Sequence, residues 1–183
     1  MPKINQPKSG SLQYWPRNRV NKFLPSVNWN AINSDSGNGL MGFIGYKAGM
    51  KSAYVKDNTP DSMTKSKRII IPVTILECPS VKIFSIRFYK NNQVIKEVLA
   101  SNLDKELKRR VKLPKTQNIV NLDEIQGYDN IRVIIYSQVK KTGLKKIPDM
   151  IEVAISGRLP EKLGFAKEHN RKEISIANIF KKN

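Results

Sequence analysis

The chain has 183 residues and carries 33 Lys and Arg against 15 Asp and Glu, a formal net charge of +18. Self-repulsion on that scale disfavours a compact protein with no polyanionic partner, so nucleic acid is the first partner class to test. Hydrophobic residues at 39% suffice for one modest core, and a single cysteine excludes an internal disulfide framework or thiolate metal cluster.

Residues 1–39 read as an extended basic tail. Pro2, Pro7, Pro16 and Pro25 punctuate it, and neither helical nor strand periodicity is visible. Lys3, Lys8, Arg17, Arg19 and Lys22 precede the first acidic residue, Asp35, so they have no acid to pair with inside the segment. Tyr14, Trp15, Phe23 and Trp29 are interleaved with them. Cations neutralise phosphates and flat rings stack on bases, which is the chemistry of RNA threading. The competing reading is a solvated leader whose aromatics dock on the protein's own domain.

The folded part begins near Leu40. Met41 to Tyr46 reads as a strand, with Gly42 and Gly45 where backbones approach closely or a sheet bends. Met50 to Val55 reads as a second strand, and residues 57–62 are a loop of turn formers. Ile69 to Glu77 and Val81 to Tyr89 are β-branched and apolar. In the latter, apolar residues fall in both alternating sets, which predicts a strand covered on both faces. Ile69 to Leu76 is the longest apolar run, too short to span a bilayer, and Met1-Pro2-Lys3-Ile4-Asn5 starts no secretory signal. A soluble intracellular protein with no membrane partner is expected.

Further on, Gln93 to Ala100 reads as a strand. Asn102 to Val111 reads as a helix with Leu103, Leu107 and Val111 inward and Lys108-Arg109-Arg110 outward near its C-terminal end. Ile131 to Gln138 and Met150 to Ile155 are strands flanking the basic loop Lys140 to Lys146, and Glu161 to His169 and Ile174 to Lys181 are short helices.

Nothing in the sequence supports catalysis. His169 is the one histidine, in a charged stretch that suggests exposure, and Cys78 between apolar neighbours reads as a buried inert thiol. No nucleophile–base pairing and no metal-ligand cluster can be proposed from spacing, so no catalytic residue, metal or cofactor is assigned. The segment Gly42 to Gly49 is neither a dinucleotide fingerprint nor a P-loop. A tight strand-to-strand passage, with Lys47 and Lys51 projecting toward a partner, suits it better.

That same segment, Gly42-Phe43-Ile44-Gly45-Tyr46-Lys47-Ala48-Gly49-Met50, closely resembles the first barrel strands of the large-subunit ribosomal protein L three family in its archaeal and eukaryotic form. Gly10-Ser11-Leu12 and Pro16-Arg17-Asn18-Arg19 resemble the family's basic tail. Pro60-Asp61-Ser62 resembles its loop, Pro72 to Pro79 its third strand, and Ile176 to Phe180 the helix ending its inserted segment. Lys51-Ser52 departs from the family, which continues there with Thr-His.

The resemblance implies a mainly β fold with an α+β insertion. Residues 1–39 are the extended RNA-binding tail, 40–90 are strands of a six-stranded translation-protein-type β-barrel, and 91–183 form the insertion. It implies a structural rRNA-binding component of the large ribosomal subunit, in the cytoplasm, beside other large-subunit ribosomal proteins. The RNA contacts expected are Lys3, Lys8, Ser11, Tyr14, Trp15, Arg17, Arg19, Lys22, Lys47 and Lys51. Because Asn183 falls where the family returns to its barrel, a second chain carrying the C-terminal half is expected to complete it. The alternative is a free-standing basic RNA-binding module, or a truncated paralogue, outside the ribosome.

Overall fold

The computed structural model describes residues 22–32, 37, 39–114 and 121–180. Seven strands form two antiparallel sheets: β1 (Gly39–Leu40), β2 (Tyr46–Lys56), β3 (Arg68–Glu77), β4 (Val81–Lys90), β5 (Gln93–Leu99), β6 (Asn130–Ser137) and β7 (Met150–Ser156). Among the described residues three α-helices accompany them: α1 (Val139–Thr142), α2 (Leu159–His169) and α3 (Ile176–Ile179). The larger sheet has the order β1-β7-β6-β4-β5, while among the described residues β2 and β3 pair only with each other. No closed barrel forms among the described residues.

β4 lies at the centre of the core because both of its faces are apolar, as its sequence predicts. A register shift against β6 falls between Ile83 and Ser85. Ile83, Ile86 and Phe88 pack into the main core with Ile131, Val133, Ile135, Val153 and Ile155, beneath Ala166 of α2. Phe84 joins a second cluster with Tyr136 and the fully buried Leu107. β4, which the family resemblance groups with the part-barrel strands 40–90, hydrogen-bonds to β5 and β6, which the resemblance places in the insertion.

Four local expectations need correction. Met41 to Tyr46 is not one strand. The chain leaves the large sheet after Leu40, Met41 N donates to Ala154 O at 3.0 Å, and pairing resumes with β3 at Tyr46. Asn102 to Val111 is not an α-helix but holds a 3-10 turn, Lys105–Arg109. The Asp104 side chain makes no helix cap; it accepts from Lys82 Nζ at 3.1 Å and from Tyr136 OH at 2.8 Å. Ile174 is not helical either. It forms a β-bridge with Val81, through bonds of 2.9 and 2.8 Å, and only 176–179 turn into helix. The basic loop 140–146 begins inside α1.

The glycine segment is explained by close approach. A Cβ on Gly42 would stand 3.2 Å from Cη2 of Trp29, and one on Gly45 would stand 3.3 Å from Sγ of Cys78. Cys78 itself is half-buried, and desolvation followed by the Glu77 charge raises its thiol pKa, which disfavours the reactive thiolate. His169 is half-buried rather than exposed, its ring stacked on Phe165 at 4.2 Å.

Candidate nucleic-acid interface

Lys3, Lys8, Ser11, Tyr14, Trp15, Arg17 and Arg19 lie outside the described residues. Lys22 is exposed and donates to Ser26 Oγ at 3.2 Å. Lys47 and Lys51 are exposed on β2, opposite Leu76 and Val73. No hydrogen bond or ion pair among the described residues joins Lys22 to either of them. Cations that the sequence reading did not single out continue along the hairpin: Lys56, Lys65, Lys67 and Arg68 are all exposed.

The hairpin presents those cations on a fixed tip. Asp57, 8% exposed, accepts from Thr59 N at 2.9 Å, Ser62 Oγ at 2.8 Å and Thr64 Oγ1 at 2.5 Å. These bonds, led by the Thr64 hydroxyl, hold the carboxyl well below the usual carboxylate range. Around them Met63 stands 95% exposed and Lys65 and Lys67 face solvent. The composition of residues 57–62 signals a turn, but the organising role of Asp57 depends on Thr64, beyond the stretch read as a loop.

At its base the hairpin is tied to the large sheet. Tyr46 OH donates to Asp149 Oδ2 at 2.6 Å and lies 2.8 Å from Ser137 Oγ. Asp149 is buried and also receives Lys145 Nζ at 2.8 Å. Burial, followed by the bond to Asp149, pushes the Tyr46 phenol far above its ordinary pKa of 10.0.

The aromatics of the N-terminal segment divide. Phe23 is 76% exposed, its ring 4.7 Å from Lys145 Nζ. Trp29 instead docks on the protein itself, 9% exposed, with Nε1 donating to Glu152 O at 3.0 Å. Its neighbour Asn30 accepts from Arg132, whose guanidinium lies 4.3 Å over the Tyr89 ring. For Trp29 the docking alternative holds, and the signal for it was Gly42, the residue that makes room for the indole.

Fold and surface together define a class: an antiparallel-sheet protein whose exposed chemistry is cationic, with lysines and arginines carried on a braced hairpin. Comparison with known sequences narrows this. The family model for ribosomal protein L3 matches residues 1–183, and the chain belongs to that family. It is 34% identical over 189 residues to large ribosomal subunit protein uL3 of Methanocaldococcus jannaschii, covering 97% of this chain and 56% of the relative. Against the protein of the same description from Methanobrevibacter smithii it is 37% identical over 191 residues, covering 98% and 56%. The chain thus spans a little over half the length of the curated relatives it matches.

Proposed function

We propose that this protein is a non-catalytic, rRNA-binding component of the large ribosomal subunit, working in the cytoplasm in subunit assembly and translation. The observation that carries the reading is the family match along the whole chain; the net charge of +18 is what such a partner requires. Residues 1–39 act as the RNA-binding tail. Lys3, Lys8, Arg17, Arg19 and Lys22 neutralise phosphates, Tyr14 and Trp15 stack, and Ser11 hydrogen-bonds to the backbone. Lys47 and Lys51 extend the contact onto the β2–β3 hairpin.

The hairpin is the first part of a six-stranded barrel whose other strands come from a second chain with the C-terminal half of the family, packed among other large-subunit proteins. Supporting this, Ile69, Ile71, Val73 and Ile75 share one face with Ala53 and Val55, interrupted only by Lys51 opposite Val73, and no described element covers it. The test is co-sedimentation. The protein should remain with the large subunit through a high-salt wash, and recovery in the free fraction at low salt would overturn the ribosomal reading.

A further inference from the structure

Two basic stretches far apart in sequence meet on one surface, formed by elements other than the hairpin. The Lys105–Arg109 turn forms one wall of an open cleft of about 580 Å³, and α1 with the loop after it forms the other. Lys105, Arg109, Lys140, Lys145 and Lys146 line it, with Glu106 among them. The fold fixes both walls. Leu107 is buried against Phe84 and Tyr136, which leaves its charged neighbours outside. On the opposite wall Val139 is fully buried, and Arg109 Nη1 joins the walls by donating to Lys146 O at 3.0 Å.

These contacts position the cations while leaving most of their charge unspent. Arg109 is held by a carbonyl, and among the described residues Lys105, Arg109 and Lys146 make no ion pair. Lys140 lies 3.5 Å from Glu106, but its side chain is 84% exposed, a geometry worth little in water. Only Lys145 is closely neutralised, by Asp149, and it carries the exposed ring of Phe23 at the cleft margin.

We propose that this cleft is a second RNA site, taking a single-stranded phosphodiester backbone with an unpaired base stacked on Phe23; the proposal rests on the RNA-binding reading above. Clustered cations beside one exposed aromatic plane are the elements of single-strand binding. A duplex offers Phe23 no free base face, and an acidic polypeptide would leave the ring without a role.

The test uses the full chain and three probes: a large-subunit rRNA transcript, an oligouridylate and polyglutamate. Changing Lys105, Arg109, Lys140 and Lys146 together to Gln should flatten the salt dependence of oligouridylate binding by about 3 log units per log unit of salt. Phe23→Ala should weaken that binding about five-fold or more. Changing Lys105, Lys140 and Lys146 to Arg should retain the wild-type slope. If the quadruple variant fails to fold, Lys146→Gln alone reads the same effect as a flattening of about 0.7. A wild-type slope in the cleft variants, with rRNA still bound, overturns the cleft alone. Polyglutamate binding that falls with the cleft charges while Phe23→Ala changes nothing assigns the cleft to an acidic polypeptide. A wild-type chain that binds neither RNA overturns the RNA-binding reading and this proposal together.

Discussion

Trp29 and Gly42 form a fitted pair, and each should be sensitive to changes in the other. Trp29→Ala removes a buried indole and its bond to Glu152 O, and should cost about 3–5 kcal/mol in a thermal or urea melt. Gly42→Ala places a methyl 3.2 Å from the indole and should cost about 1–3 kcal/mol. In the double variant the Gly42 penalty should largely vanish, because the clashing ring is gone. Strict additivity would show that the two do not touch. Buried tyrosines supply a second expectation. The phenols of Tyr46 and Tyr136 are raised above 10.0, chiefly by burial and then by Asp149 and Asp104 respectively. An unfolded tyrosine therefore loses its proton first, so the stability is present below about pH 10 and falls above it, by at most about 1.4 kcal/mol per pH unit for each phenol. Tyr136→Phe should make the alkaline melting curve shallower. An unchanged curve would remove Tyr136 from the account.

At the scale of elements, β3 and β4 carry similar apolar runs, yet only β4 is buried on both faces. The periodicity of β4 was legible because apolar residues fill both alternating sets. What covers each face was not legible, since α2 and the Lys105–Arg109 turn arrive from distant sequence. For the same reason the helix expected over 102–111 fails: its spacing suits a helix, but Asp104 is taken by Lys82 and Tyr136. Apart from β1, the strands of the large sheet, by contrast, follow from β-branched runs bounded by turn residues. Of the candidate interface, Lys22, Lys47 and Lys51 could be named from sequence and stand exposed, whereas the meeting of two basic stretches in a cleft needs the tertiary fold. The hairpin tip gives an element-scale prediction. The Asp57 carboxyl is depressed by its hydroxyl and amide donors, so the stability it confers is fully present above its unfolded pKa of roughly 3.9 and declines from there until pH falls through its lower folded value. Asp57→Ala should speed amide exchange at Thr59, Thr64 and Ser66 while leaving β4 and β6 protected. Loss of protection throughout would mean that the tip is not an independent element.

For the whole molecule, the hairpin, uncovered by any described element, should govern behaviour in solution. Ile71 is 36% and Ile75 42% exposed on the aliphatic face, with Ile70 at 61% and Leu76 at 57% on the other. Such an unpaired, apolar hairpin invites self-association. If a second chain completes the barrel as proposed, changing Ile71, Val73 and Ile75 to Thr should keep the strand, lower self-association in gel filtration and abolish co-purification with the C-terminal half of a curated relative. Co-purification that survives would place the partner's contact elsewhere. The docking of Trp29 has a consequence of another kind. With the indole held against β7, the reach of each residue before it is bounded. A chain extends at most about 3.3–3.6 Å per residue, so Met1 can lie no farther than about 100 Å from this anchor. If residues 1–21 bind RNA as proposed, the phosphates they touch should fall within about that radius, and releasing the anchor by Trp29→Ala should enlarge the sphere and blur the footprint inside it.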